Sequence, residues 1–221
     1  MSQIANNLQQ IRRQLPAGIR LVAVSKFHPA EAVMEAYDAG QRVFGENRVQ
    51  EMVAKAAELP CDIEWHLIGH LQTNKVRQAV PVASMIESVD SFKLLGLIER
   101  EAARIGKTID VLLQLHVAKE QTKSGFSVEE LLSTLVTEDL TAYAHVRFRG
   151  VMAMATLTDD TAEIEREFAI VSDTFDVLKE EFFDDSFDTI SMGMSDDWRL
   201  ALRHGATEVR IGSDIFGPRQ Y

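Results

Sequence analysis

The sequence predicts an α/β protein: a single-domain (β/α)8 TIM-type barrel with an extra N-terminal helix. Strand-like apolar runs and amphipathic helical segments alternate along the whole chain, and eight strands can be counted. Eight alternating units with right-handed parallel connections favour closure into a barrel, and 221 residues are near the lower limit for that fold. A doubly wound open sheet is the alternative. We find no repeat or linker, so residues 1–221 are predicted to form one domain.

The predicted strands are short runs rich in Val, Ile and Leu, and the predicted helices repeat apolar residues three and four positions apart. Strands are expected over residues 21–24, 42–44, 63–68, 83–87, 110–117, 145–154, 189–190 and 208–211. Helices are expected over residues 4–15, 29–38, 48–58, 74–79, 92–105, 129–136, 162–181 and 195–204.

Charge and composition exclude several classes of protein. The chain has 23 Lys and Arg against 34 Asp and Glu, a net charge of −11 that argues against nucleic acid and anionic membranes as partners. No apolar run approaches membrane-spanning length, and the N-terminus lacks a signal-peptide pattern. The single Cys61, in a loop before a strand, cannot form an internal disulfide. We therefore expect a cytoplasmic protein. We also expect the protein to be a monomer.

Lys26 directly follows the first predicted strand. In a barrel, binding and catalytic groups come from the loops after the strands, so this side chain is expected over the carboxyl end of the sheet. The residue on its own could simply mark where the strand meets water, because Lys is rarely buried. Polar residues and glycines also gather after the later strands, above all over 191–195 and 212–217.

The loops after strands seven and eight form the usual phosphate-binding corner of this fold. Ser195, Gly212 and Ser213 offer hydroxyls and accessible backbone N–H groups, which suit a phosphate dianion. The alternative is that Ser195 only caps its helix, with Asp196 and Asp197 complementing the helix dipole. A phosphate corner facing a strand-end lysine would suit pyridoxal phosphate held as a Schiff base.

Arg210 leaves the eighth strand beside this corner. It could reach the pyridine nitrogen of such a cofactor and keep it unprotonated, or it could form a structural ion pair with one of the many acids.

An ordered series of motifs runs through nearly the whole chain. The motifs are AVSK at 23–26, FGENRVQE at 44–51, WHLIGHLQTNK at 65–75, KSGF at 123–126, SMGMS at 191–195 and VRIGSDIFGPR at 209–219. With these motifs the chain resembles the single-domain pyridoxal phosphate homeostasis proteins, whose barrel is similar to the N-terminal domain of alanine racemase.

The resemblance implies that Lys26 carries pyridoxal 5'-phosphate as a Schiff base. It implies no catalytic residue and no metal ligand. Two positions depart from the usual motifs: Arg48 stands where the family commonly has an aromatic residue, and His116 where Asn is common. The other implied contacts are Asn47 near the ring, Met194 near the ring face, Ser195, Gly212 and Ser213 at the phosphate, and Arg210 at the pyridine nitrogen.

Three functions remain open at this point. The favoured one is homeostasis of pyridoxal phosphate by buffering or delivery, with apo forms of enzymes that use this cofactor as candidate recipients. A racemase needs an acid/base group on each face of the substrate carbon, and alanine racemase supplies one as a tyrosine from a second domain. None of the candidates Tyr37, Tyr143 and Tyr221 follows a predicted strand. The third function is a barrel enzyme in which Lys26 forms a Schiff base with a phosphorylated substrate.

Other candidate groups have simpler interpretations. His66 and His70 are four residues apart, but they lie in a strand and a loop rather than on a metal-binding helix. His116 is interpreted as a histidine of the core or of the barrel end, as is His145. Two further lysines of the mouth loops, Lys75 and Lys123, are interpreted as solvated or substrate-facing charges.

Overall fold

The computed structural model describes residues 2–119 and 124–218, which form a closed barrel of eight parallel strands. The strands follow one another around the barrel in chain order, and the last strand pairs with the first. The predicted barrel is confirmed, and the open sheet is excluded. The strands are β1 Arg20–Val24, β2 Val43–Glu46, β3 Glu64–Leu67, β4 Met85–Val89, β5 Ile109–Leu115, β6 Val146–Ala153, β7 Thr189–Ser191 and β8 Glu208–Ile211.

The helices surround the barrel, and several begin at a capping side chain. Ser91, for example, accepts a hydrogen bond from the backbone N–H of Leu94 at 3.3 Å. The α-helices of the described ranges are α1 Gln3–Gln14, α2 Ala30–Asp38, α3 Val49–Glu58, α4 Val76–Ala79, α5 Phe92–Ile105, α6 Val128–Leu135, α7 Thr161–Glu181, α8 Trp198–Arg203 and α9 Ser213–Phe216. Each of these is too short or too polar to cross a membrane.

The predicted N-terminal helix is present as α1. Its buried residues Leu8 and Ile11 join the core, and the helix packs against both α2 and α9. The side-chain amide of Asn7 donates a hydrogen bond to the carbonyl of Ile215 at 3.0 Å. Because α9 is only one turn long, α1 completes the ring of helices beside β8.

The barrel interior differs from the layer between strands and helices. The main apolar core joins the strands to the helices, whereas Met85, Leu112 and Met152 form a small separate cluster. Side chains two positions apart on a strand share a face, so Glu87 faces the same side of β4 as Met85. Charged side chains therefore occupy part of the interior.

Gly150 explains an irregular stretch of β6. The register between β5 and β6 shifts after Val111, and Gly150 then pairs with Thr189 of β7. Its φ is +153°, and a Cβ atom there would lie 1.7 Å from the carbonyl oxygen of Thr189. Only glycine lets the two strands approach this closely.

Three predicted boundaries are wrong in ways that matter for function. β2 continues through Gly45 and Glu46, two residues beyond its predicted end at Phe44. β5 ends at Leu115, so His116 lies just beyond the strand. α8 begins at Trp198 rather than at residue 195.

Candidate functional site

The carboxyl ends of the strands surround a cavity of about 480 Å³. Its walls come from both early and late parts of the chain, as expected for a barrel mouth. All seven residues predicted to bind the cofactor line this one cavity: Lys26, Asn47, Met194, Ser195, Arg210, Gly212 and Ser213.

Lys26 lies just after β1, half-buried, and the residue before it is tied to β2 and α3. The hydroxyl of Ser25 donates to Glu46 Oε1 at 2.7 Å, and Lys55 Nζ lies 2.5 Å from the same oxygen. Lys55 also donates to the carbonyl of Ser25 at 2.8 Å. Burial raises the pKa of Glu46, although Lys55 opposes this shift. Glu46 is thus a buried structural carboxylate rather than a loop residue.

A pair of serine hydroxyls forms the opposite corner of the cavity. Ser213 Oγ donates to Ser195 Oγ at 3.0 Å, so the loops after β7 and β8 meet as predicted. The backbone N–H of Arg210 donates to the carbonyl of Gly193 at 2.9 Å. Gly193 has a φ of +94°, and a Cβ there would lie 2.8 Å from the Cα of Trp198. The β7 loop therefore lies close against α8.

The prediction that Ser195 begins and caps the following helix is wrong. Asp197 precedes α8, and its carboxylate accepts a hydrogen bond from the backbone N–H of Met194 at 2.6 Å. Burial raises the pKa of Asp197. This side chain therefore shapes the loop from within, while the Ser195 hydroxyl bonds to Ser213.

Arg210 lines the cavity but is only 3% exposed. Its Nη1 donates to the hydroxyl of Ser191 at 2.7 Å, and its Nη2 donates to the carbonyl of Ala153 at 2.8 Å. Ser191 in turn donates to Glu87 Oε2 at 2.7 Å. Arg210 thus forms a structural ion pair, 3.8 Å from Glu87, and it also lines the cavity, so its contact with a pyridine nitrogen stays a prediction.

Inside the barrel, Arg210 adjoins a buried cluster of His66, Glu87 and Glu208. His66 Nδ1 lies 2.7 Å from Glu87 Oε1 and 3.8 Å from Glu208 Oε2. Burial alone would lower the pKa of His66, but Glu208 and Glu87 raise it on balance. Burial, reinforced by Glu87, raises the pKa of Glu208 to about 7.

The three side chains are close enough together to coordinate a metal ion, because their potential ligand atoms lie within 4.8 Å of one another. Glu87, however, already contacts His66 at 2.7 Å and Arg210 at 3.8 Å. The Glu208 carboxylate lies 3.8 Å from His66 and accepts no hydrogen bond from the described residues. We therefore interpret Glu87, His66 and Arg210 as a buried ion-pair network with Glu208 beside it. His70 bonds a different carboxylate, Asp90, at 2.9 Å, so the two histidines with metal-like spacing have separate partners.

Some cavity residues were missed by the sequence analysis. Gln114 is the clearest case: it lies within β5 and donates from Nε2 to the carbonyl of Ser124 at 2.7 Å. A polar residue flanked by buried leucines near the carboxyl end of a strand was the available signal. The remaining residues that line the cavity, none of which was predicted to bind the cofactor, are Val24, His28, Ile68, Gly69, His70, Ser124, Met154, Leu157, Asp196 and Gly217.

The two departures from the family motifs occupy different places. Arg48 is exposed, lies 3.7 Å from Glu51, and lines a neighbouring depression together with Lys75. His116 bonds through Nε2 to the carbonyl of Ala118 at 2.9 Å. Neither lines the main cavity.

The remaining candidate groups lie elsewhere. Tyr37 bonds Asp62, and Tyr143 bonds Glu138 through its hydroxyl. His145 precedes β6 and contacts Glu99 at 2.9 Å rather than lying in the strand. Cys61 is exposed. Lys123, Arg219 and Tyr221 fall outside the described residues.

Comparison with known proteins places this barrel in a family. The model of the family "Alanine racemase, N-terminal domain" matches residues 1–220. The pyridoxal phosphate homeostasis protein of Pasteurella multocida is 37% identical over 227 residues, covering 100% of this chain and 97% of the relative.

Solved structures agree with this placement. PipY of Synechococcus elongatus is 42% identical, covers 97% of this chain and 100% of its own, and superposes with TM-scores of 0.91 without PLP and 0.88 with PLP bound. The alanine racemase of Clostridium difficile is 14% identical with a TM-score of 0.78, and only 59% of its chain is covered, so it shares the fold alone. The chain therefore belongs to the alanine racemase N-terminal domain family and, within it, to the pyridoxal phosphate homeostasis proteins.

Proposed function

We propose that this chain binds pyridoxal 5'-phosphate in the cavity at the barrel mouth and buffers or delivers it inside the cell. The observation that carries the proposal is one cavity bringing a strand-end lysine, Lys26, together with the paired hydroxyls of Ser195 and Ser213. When bound, pyridoxal phosphate supplies an aldehyde that condenses with a lysine amine, with loss of water, to form a Schiff base.

The donor groups of the cavity fit the chemistry of this cofactor. Ser195 and Ser213 offer hydroxyls to the phosphate, and the one-turn helix after Gly212 begins with N–H groups that have no intrahelical acceptor. Asn47 and Met194 would lie beside the ring. The cationic Arg210 would face the pyridine nitrogen, where its charge disfavours protonation of that nitrogen. A volume of about 480 Å³ is in the range of small-molecule sites.

The relatives support the same ligand. PipY, at 42% identity, has been solved with PLP bound, and the Pasteurella multocida relative is named for pyridoxal phosphate homeostasis.

A carrier fits the cavity better than a racemase does. Racemisation requires a second acid/base group facing the substrate, but the hydroxyls of Tyr37 and Tyr143 bond Asp62 and Glu138 and neither tyrosine lines the cavity. Met194 at the mouth is 37% exposed, which favours exchange with solvent over a water-excluding reaction. We propose that the protein works in the cytoplasm as a monomer, with apo enzymes that require the cofactor as recipients.

The experiment mixes the purified protein with pyridoxal phosphate, follows visible absorption, reduces with borohydride and locates the modified residue by peptide mass. Wild type should become yellow and carry the label on Lys26, whereas Lys26→Ala should bind no cofactor covalently. Lys75→Ala is the matched control, because Lys75 lies in a neighbouring mouth loop, and it should behave as wild type.

A wild-type protein that stays colourless would refute the proposal. Label on another lysine would refute the assigned role of Lys26. Efficient conversion of L-alanine to D-alanine by the loaded protein would replace the carrier by the racemase.

A further inference from the structure

We propose that Glu51 is a positioning residue that fixes the orientation of Lys26 by holding the backbone of the next residue, Phe27. The inference deepens the proposed function, because it rests on Lys26 being the cofactor lysine. Glu51 is the last residue of the FGENRVQE motif at 44–51.

The backbone turns sharply just after Lys26. Phe27 has a φ of +66°, and within residues 2–119 and 124–218 it is the one non-glycine residue with a positive φ. A residue with a Cβ atom is disfavoured in this left-handed region and stays there only when its surroundings hold it. Something must therefore stabilise the turn.

The backbone N–H of His28 closes the turn on the carbonyl of Ser25 at 3.1 Å. Glu51, in the first turn of α3, restrains Phe27 itself. Its Oε2 accepts a hydrogen bond from the backbone N–H of Phe27 at 3.0 Å. Its Oε1 lies 3.7 Å from Nη1 of Arg48, whose guanidinium is 5.3 Å from the centre of the Phe27 ring. The carboxylate and the arginine thus hold both the backbone and the ring of Phe27.

The residue on the other side of Lys26 is held as well. Ser25 is fully buried, with its hydroxyl on Glu46 and its carbonyl on Lys55. Glu46 and Glu51 belong to the same motif, and they restrain the residues immediately before and after Lys26. The backbone that carries the lysine is therefore fixed at two points by β2 and α3.

A fixed backbone keeps the Cα–Cβ bond of Lys26 in one direction beside the cavity, so the amine searches fewer orientations. Pre-orientation of reacting groups raises the rate of a condensation, because orientational entropy is lost during folding and not at the reaction. We expect loss of the Glu51 hydrogen bond to let Phe27 relax out of the left-handed region and to slow Schiff-base formation.

The test separates the hydrogen-bond acceptor from the charge. Glu51→Gln keeps an acceptor oxygen at the same reach and loses the charge, whereas Glu51→Asp keeps the charge and withdraws the acceptor. Glu51→Ala removes both, and Glu58→Ala alters an exposed acid of the same helix as a control. Two quantities are measured: amide hydrogen exchange of Phe27 in protein without cofactor, and the rate at which the visible band appears after mixing with pyridoxal phosphate.

We expect Glu51→Ala and Glu51→Asp to speed exchange of the Phe27 amide and to slow Schiff-base formation by roughly tenfold. Glu51→Gln and Glu58→Ala should stay within about twofold of wild type. Should the alanine variant fail to fold, as judged by circular dichroism, the Gln and Asp variants decide the question.

Unchanged Phe27 exchange in Glu51→Asp would overturn the hydrogen-bond role, and faster exchange with an unchanged rate of Schiff-base formation would overturn the positioning role. If wild type forms no Schiff base at all, the proposed function fails and the positioning of a cofactor lysine fails with it. The exchange measurement then still reports separately on the contact between Glu51 and Phe27.

Discussion

The floor and the rim of the cavity are built from opposite kinds of polar groups. In the floor, ionisable groups are buried against one another, and the Glu208 carboxylate accepts no hydrogen bond from the described residues. The rim keeps polar groups within reach of solvent. The difference suggests that the floor supports the fold and sets the local charge, and that the rim determines what binds. The floor comprises His66, Glu87, Ser191, Glu208 and Arg210, and the rim comprises Lys26, Asn47, Met194, Ser195 and Ser213.

Arg210 is where the two regions meet. Its hydrogen bonds to Ser191 and Ala153 hold it in the floor, and it also lines the cavity. Removing one partner of a buried ion pair leaves the other charge buried without compensation. Substitutions in the floor should therefore reduce stability much more than substitutions in the rim.

The largest effect is expected from Glu87→Ala. The substitution leaves Arg210 and His66 buried beside a missing carboxylate and removes the acceptor of Ser191. Unfolding in urea should show a loss of about 3–5 kcal/mol in the free energy of unfolding. The matched control is Glu165→Ala at the exposed pair with Arg203, which should cost at most about 1 kcal/mol. Equal losses at both sites would remove the distinction between floor and surface.

The next effect is a pH dependence of stability that originates in Glu208. In the folded protein its pKa is about 7, against 4.5 for an ordinary glutamate. At pH values between 4.5 and about 7, Glu208 is protonated in the folded protein and ionised in the unfolded chain. The stabilisation of the folded state by this proton is therefore complete below pH 4.5 and is lost as the pH rises to about 7. The free energy of unfolding falls by about 3 kcal/mol over this range of pH. The raised pKa of His66 acts in the same direction.

Glu208→Gln tests this linkage, because the amide stays neutral at every pH. Urea unfolding at about pH 5 and about pH 8 should show a clearly smaller difference in stability for the variant than for wild type. A variant that keeps the full wild-type difference would mean that other groups produce it.

The smallest effect is expected at the serine corner and should appear in binding rather than in stability. Ser195→Ala or Ser213→Ala should each weaken binding of pyridoxal phosphate by about 1.5 kcal/mol, roughly tenfold in Kd, through one lost hydrogen bond to an anion. Unfolding in urea should change by no more than about 0.5 kcal/mol, because both side chains lie at the accessible rim.

Pyridoxal, which lacks the phosphate, provides the control ligand. Its affinity should be the same for wild type and for both serine variants, as followed by visible absorption. An equal loss of affinity for both ligands would place the serines away from the phosphate.

The sequence predicted the order of the barrel strands because each carries a local apolar run. It predicted Lys26 and the serine corner because the carboxyl ends of parallel strands meet at one mouth. It did not predict the floor. Glu87 and Glu208 lie on strands separated by much of the chain, and both approach His66 only because the barrel closes.

The start of α8 was mispredicted for a related reason. Serine is a common helix-capping residue, which favoured a helix beginning at Ser195. The buried carboxylate of Asp197 instead accepts a hydrogen bond from the N–H of Met194, and the helix begins at Trp198. Likewise Glu46 resembled a loop residue until β2 and α3 enclosed it beside Lys55. Local pattern identifies residue types that suit a site, whereas burial decides which carboxylates serve the scaffold.

The hydrogen bond from Asn7 to Ile215 has a consequence for synthesis of the protein. The helix α1 is made first among the described elements, whereas its partner α9, which carries Ser213, is made last among them. The helix α1 can contact α2 soon after both have been made, but its contact with α9 must wait until the described elements between them have been made. Capture of a phosphate-bearing ligand at this mouth is therefore expected only after β8 and the turn that follows it have been made.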